Sequence, residues 1–165
     1  MWRAFCYRLA GSERTPARWD SGRRGGWCGV EQLAILVVED VPAIADIIEA
    51  VLNDVPGYQA TAVGNGADAL AFVAEVQVDL VLLDVNLPGL DGFAIHDLLR
   101  GRAGTADVPI LFMTAGRHEA EFARRGVRGH IKKPFDLDDL LARVASALVG
   151  GGGAVGNGLM RPADR

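Results

Sequence analysis

Between residues 33 and 148, short apolar runs alternate with stretches whose apolar positions recur at helical spacing. Leu33–Val38 (LAILVV) is continuous and rich in branched side chains, as in a strand buried on both faces. Pro42 then suits the first turn of a helix, with Ile44, Ile47, Ile48, Val51 and Leu52 along one face until Pro56-Gly57 breaks it. Tyr58–Val63 reads as a second strand, Gly64-Asn65-Gly66 as a turn, and Ala67–Val76 as a small helix carrying Leu70 and Phe72. Leu80–Leu83 is the third strand; the helix from Asp91-Gly92 to about Arg100 presents Phe93, Ile95, Leu98 and Leu99. Val108–Met113 is the fourth strand, followed by a short helix near Glu119–Arg125. Gly129–Lys132 is a short fifth strand, and Asp136 N-caps a last helix with Leu137, Leu140, Leu141, Val144 and Leu148 facing inward. Strand and helix thus alternate five times, which predicts an α/β, doubly wound, five-stranded parallel sheet with helices on both faces. Crossovers of this kind are right-handed, and such sheets place their functional site at the carboxyl ends of the strands.

One run in this pattern poses a problem. DLVLLDVNLPGLDGF (79–93) drives four apolar residues into a core and ends them on Asp84, a charge that is costly to desolvate without a partner. Asn86, Pro88, Gly89, Asp91 and Gly92 then turn the chain. The other strand ends offer the partners: Glu39 and Asp40 after the first strand, Thr114 after the fourth, Lys133 after the fifth. In a parallel sheet all of them share one edge. Clustered carboxylates repel and call for a cation, and an oxygen-only set without His or Cys suits a hard ion, Mg²⁺ above all. Lys133 supplies a compact charge to a carboxylate or an incoming phosphoryl group, and Thr114 a hydrogen bond to a phosphoryl oxygen. A carboxylate beside Mg²⁺ is a competent nucleophile toward phosphorus, and Asp84 on the central strand is best placed to attack.

Composition narrows the partners. The chain of 165 residues has a formal net charge of −4, unevenly spread: residues 1–30 hold six Arg against Glu13 and Asp20, while residues 31–165 hold 11 basic and 19 acidic groups. The acidic region argues against nucleic acid as its main partner. Both cysteines, Cys6 and Cys28, precede the first strand, so neither a disulfide framework nor a thiolate metal site is expected in the core region. No apolar run reaches membrane-spanning length, and residues 1–30 lack the apolar segment of a signal peptide. The expected organisation is a disordered Gly-, Arg- and Ser-containing extension over 1–30, a domain over 31–150 and a flexible Gly-rich tail over 151–165, in a cytoplasmic protein without membrane contact.

With these residues in order, the region 33–148 resembles the receiver domain of bacterial two-component response regulators, the CheY-like family. The pieces are LVVED, VLLDVNLPGLDGF, FMTAG and KKPF. The resemblance implies the flavodoxin-like strand order 2-1-3-4-5 and a role for each position. Asp84 matches the phosphoacceptor, Asp40 the direct Mg²⁺ ligand, Glu39 an acidic partner acting through water, and Asn86 the residue whose backbone carbonyl binds the metal. Thr114 matches the switch hydroxyl and Lys133 the phosphate-contacting lysine, with a cis bond before Pro134. It further implies a sensor histidine kinase or histidine phosphotransferase as donor, and a stand-alone receiver whose output passes to a downstream protein target of unknown identity. Two departures stand out. His130 occupies the switch position where Tyr or Phe is usual, and the stretch from Thr114 to Lys133 is a few residues shorter than in a typical receiver. The shortening falls around the fourth helix, the usual output face.

Plainer readings stand beside these. Asp91 caps a helix, Lys132 is a surface lysine, and Arg124, Arg125 and Arg128 form a solvated face. His130 is a simple substitution at a partly exposed place, with a pH-sensitive switch as the sharper alternative. Two rival functions remain: an unphosphorylated scaffold with the receiver fold, and a Mg²⁺-dependent phosphatase with an aspartyl nucleophile. The phosphatase chemistry asks for a second Asp two residues after the nucleophile, where this chain has Asn86.

Overall fold

β1 (Leu33–Val38) pairs in parallel with β2 (Tyr58–Val63) on one side and with β3 (Leu80–Asp84) on the other, Val38 lying level with both Val63 and Leu83. β4 (Ile110–Thr114) continues the sheet beyond β3, and β5 (His130–Lys132) closes it, giving the order β2-β1-β3-β4-β5. The computed structural model describes residues 32–127 and 129–151; the expected N-terminal extension, Arg128 and nearly all of the expected Gly-rich tail lie outside them.

The five helices are α1 (Pro42–Asn53), α2 (Gly66–Glu75), α3 (Gly92–Arg100), α4 (Glu119–Arg125) and α5 (Leu137–Gly151). Alternation along each strand sends side chains to opposite faces and builds two cores. On one face Ile35, Val37, Leu80, Leu82, Met113 and Ile131 meet Ile48 and Leu52 of α1 and Leu140 and Val144 of α5. On the other, Leu36, Val38, Val81, Leu83 and Phe112 meet Ala69 of α2, Ile95 and Leu99 of α3 and Phe122 of α4. β3 is buried along its whole length, which is why its sequence is a continuous apolar run ending in one carboxylate. Three helix starts are set by side chains: Asn65 Oδ1 accepts from Asp68 N at 2.9 Å, Asp91 Oδ1 from Ala94 N at 2.7 Å and Asp136 Oδ1 from Asp139 N at 2.7 Å. No helix among the described residues is long and apolar enough to cross a membrane.

Several elements depart from the sequence reading. β3 takes in Asp84, because its ladder with β4 continues through the Asp84–Met113 pair. β4 begins at Ile110 and not at Val108, since Pro109 has no N–H for the ladder, although its carbonyl accepts from Val81 N at 3.0 Å. β5 begins at His130, and α2 is displaced by one residue to Gly66–Glu75. Ile47, Leu98 and Leu137 are exposed (53%, 47% and 39%), not inward-facing. The stripe that packs is narrower than the apolar set: in α1 it follows Ala45, Ile48 and Leu52, and Ile47, one residue away, points about 100° from it.

Candidate functional site

The register dictates the meeting of the acidic groups. Val38 lies level with Leu83 on the neighbouring strand, so the next residues, Glu39 and Asp84, emerge side by side at the carboxyl edge. Both are buried, with 1% and 4% of their surface exposed. Two adjacent carboxylates out of water need a cation, and Lys133 supplies it. Its Nζ donates to Asp84 Oδ2 at 2.5 Å and to Glu39 Oε2 at 2.6 Å. Lys133 arrives there because Thr114 lies level with Lys132 across the β4–β5 pair, and Lys133 N donates to Thr114 O at 2.7 Å. The Lys133-Pro134 bond is cis, as the resemblance implied.

One ammonium serves two carboxylates, so the cluster remains short of positive charge. Burial dominates at Glu39 and lifts its carboxyl above the ordinary range, with the nearby Asp84 charge adding to the rise against the pull of Lys133. Burial also opposes the Lys133 charge, but hydrogen bonds and attraction from Asp84 and Glu39 outweigh it and hold the ammonium above its usual value. Glu39 Oε1 is buried without a hydrogen-bond partner. Asp40 is exposed at the rim, and one carboxylate oxygen from each of Glu39, Asp40 and Asp84 lies within 4.8 Å of the other two. An orphaned buried oxygen and three convergent carboxylates, joined by no His or Cys among the described residues, fit a hard divalent cation.

The remaining sequence-selected residues surround this cluster. The exposed Asn86 donates its backbone N–H to Asp84 Oδ1 at 3.0 Å, which fixes the second carboxylate oxygen. Thr114 is buried; its Oγ1 accepts from Gly116 N at 3.0 Å, so it shapes the turn after β4 and does not cap α4, whose N-cap is His118. His130 is exposed and stacks on Phe122, ring centroids 4.8 Å apart at 23°. Lys132 is exposed, as expected of a surface lysine.

Two features escaped the sequence reading. Gly92 is the point where α3 begins against the Asp84 peptide: a Cβ there would lie 2.2 Å from Asp84 O and 2.9 Å from Val85 Cα, both backbone atoms. Only glycine permits that approach. Gly92→Ala is expected to lower stability by about 1–3 kcal/mol in urea unfolding, through displacement of the loop after β3; an unchanged midpoint would count against this packing. The Asp-Gly step before an apolar helix was the available signal. The second is Arg125, assigned above to a solvated face, whose side chain is only 13% exposed and lies among partners on α3 and α4. A basic cluster on a short helix carries no sign of which member turns inward.

Two clefts lie away from this edge. One of about 250 Å³ is lined by Val78, Asp79, Gly104 and Pro109 near the opposite ends of the strands, and one of about 430 Å³ lies between Ala50, Val51 and Val55 and Leu141.

Comparison with known proteins agrees with the topology. The sequence profile of the response regulator receiver domain matches residues 35–145. The dual master transcriptional regulator RpaA of Synechocystis is 36% identical over 117 residues, 69% of this chain and 48% of that protein. The response regulator MtrA of Mycolicibacterium smegmatis is 37% identical over 117 residues, 69% of this chain and 50% of that protein. The chain thus spans about half the length of these curated relatives. Among solved structures, the chemotaxis response regulator CheY4 of Vibrio cholerae superposes with a TM-score of 0.66 at 27% identity, covering 70% of this chain and 98% of that one. The receiver domain of a Pseudomonas aeruginosa sensor histidine kinase, solved with a magnesium ion in its active-site cleft, gives 0.64 at 29% identity, covering 72% and 98%. A profile spanning most of the chain, joined to five parallel strands in the order 2-1-3-4-5, places this chain in the response regulator receiver domain family.

Proposed function

We propose that Asp84 accepts a phosphoryl group from a phosphohistidine on a sensor histidine kinase or histidine phosphotransferase, and that the modified domain signals through protein contacts. The observation that carries this reading is the Lys133 ammonium spanning two buried carboxylates, Asp84 and Glu39, with the exposed Asp40 in reach. In transfer, a bond forms between an Asp84 oxygen and phosphorus as the phosphorus–nitrogen bond to the donor breaks, its electron pair returning to the imidazole. Lys133 and the Asn86 amide hold the carboxylate in place for that attack. Lys133 then pairs with the added phosphoryl charge, and Thr114 turns its hydroxyl toward a phosphoryl oxygen, biasing the β4–β5 edge and its helices between two arrangements. Asp40 and Asp84, Glu39 through water, and the Asn86 backbone carbonyl would hold Mg²⁺. When bound, that ion supplies charge neutralisation and orientation for the transferring oxygens.

Asp84 is in this reading a reactant that assists its own modification, not a catalyst with an external substrate. The exposed Asp40 beside Asp84 supports this, since it places the cluster at the surface, where a histidine carried on another macromolecule can approach. A protein partner for the output is supported by the excess of acidic groups over residues 31–165, 19 against 11 basic. RpaA and MtrA are named as DNA-binding regulators, and each is about twice as long as the matched segment.

Incubation with acetyl phosphate and Mg²⁺ is expected to add the mass of one phosphoryl group to the intact protein. No gain under conditions that modify another receiver sinks the reading. Mg²⁺ alone is expected to raise the melting temperature. At a hundredfold excess over its Kd the ion contributes about 2.7 kcal/mol. Asp40→Asn should remove most of that gain while leaving the melting temperature in chelator unchanged.

A further inference from the structure

A second charged network lies outside the site and ties α4 to α3. Arg125 Nε donates to Asp97 Oδ1 at 3.0 Å and Nη2 to Asp97 Oδ2 at 3.0 Å, while Nη1 donates to Glu121 Oε2 on its own helix. The guanidinium lies over the Phe93 ring, 4.7 Å from its centroid. His96 Nδ1 lies 2.9 Å from Asp97 Oδ1. Beneath this network Phe122, the buried residue of α4, packs on Phe93, Phe112 and His118 and stacks on His130.

We propose that Arg125 is a positioning residue for the switch: by pinning α4 to α3 it keeps Phe122 against His130 and sets how readily the β4–β5 edge responds to modification of Asp84. The proposal rests on the phosphoacceptor reading above. Three facts support it. α4 has seven residues, too few to persist on its own propensity, so its position is set by outside contacts. The Arg125 side chain is 13% exposed and bridges two carboxylates, bidentate toward Asp97 on the other helix, the geometry and networking that let an ion pair with exposed partners hold its place. His130 sits on β5, three residues before Lys133, and so links α4 to the site through one short strand.

The network is closed in the arrangement where Asp84 is bonded as a free carboxylate to Lys133 and Asn86. On this proposal the network opens as the domain leaves that arrangement, so weakening it lowers the cost of leaving, and linkage then requires a ligand that favours the alternative to bind more tightly. The test uses Asp97→Asn and Arg125→Gln in the full chain with two readouts. The first is the His130 ring proton resonance in unmodified protein, expected to shift in both variants. The second is the apparent affinity for beryllofluoride, a phosphoryl mimic, with Mg²⁺, expected to tighten by roughly threefold or more. Should Arg125→Gln fail to fold, Asp97→Asn carries the test, because Asp97 is more than half exposed at 55%. A folded variant with wild-type beryllofluoride affinity would overturn the proposal, since a purely structural role moves stability and not this affinity. Wild-type protein that takes up no beryllofluoride would sink the phosphoacceptor reading instead, and the pinning of His130 by Arg125 would then be decided by the resonance alone.

Discussion

Asp84→Asn protein, given a phosphoryl donor and Mg²⁺, should gain no phosphoryl mass where wild-type protein gains one group. The substitution is nearly isosteric. The amide oxygen it introduces can still accept the Asn86 N–H, and Lys133 keeps Glu39 as its counter-ion, so the fold has no reason to change. The chemistry does change: an amide has no anionic oxygen to attack phosphorus, and loss of a nucleophile costs on the order of 10³-fold or more in rate. Glu39 and Asp40 are the other two carboxylates of the cluster, and neither shares the position of Asp84 on the central strand. Intact mass followed by peptide mapping checks this. A mass gain that persists in Asp84→Asn would move the acceptor to another residue and overturn the site assignment.

Lys133→Met should have the second largest effect, and on stability as well as on transfer. It leaves Glu39 and Asp84 buried side by side without their ammonium. Breaking a buried ion pair by removing one partner costs about 3–5 kcal/mol. Glu39 can recover part of that by taking up a proton, so the loss depends on pH. The folded-state value of Glu39 is already raised by burial, and Lys133 is what pulls it back. Without Lys133 it rises further, and the folded variant then binds more protons than the unfolded chain. The variant is therefore most stable relative to wild type below the ordinary glutamate value and loses stability as pH rises through the raised one. Lys133 itself, held above its ordinary value of 10.5, contributes fully at neutral pH and loses its contribution only in strong alkali. Urea unfolding in chelator from pH 5 to 8 should show the gap between variant and wild type widening with pH. A gap that stays constant would mean that the two carboxylates are not coupled through Lys133.

The fold was legible because burial on both faces leaves an unambiguous trace. A strand such as Leu33–Val38 has no polar position, and its bounds in the structure are those its apolar run predicts. Strand ends set by backbone bonding were less legible: Pro109 removes a donor and delays β4, while the ladder carries β3 through Asp84. Helix faces were only partly legible, because Ile47, Leu98 and Leu137 are apolar yet sit just off the stripe that packs. The convergence of Glu39, Asp40, Asp84 and Lys133 follows from reading parallel strand ends as one edge, which needs no knowledge of side-chain geometry. Gly92 and Arg125 needed coordinates. One acts by what it lacks, against backbone atoms of another element, and the other through a partner 28 positions away.

β5 is three residues long and lies at the sheet margin, yet it delivers the cation on which both buried carboxylates depend. Margins of sheets exchange their amide protons sooner than centres do. A brief peeling of this margin would withdraw Lys133 from partners 94 and 49 positions earlier in the chain while leaving the inner strands paired. If Asp84 is the phosphoacceptor proposed above, substitutions that loosen this strand are expected to silence the domain well before they melt it.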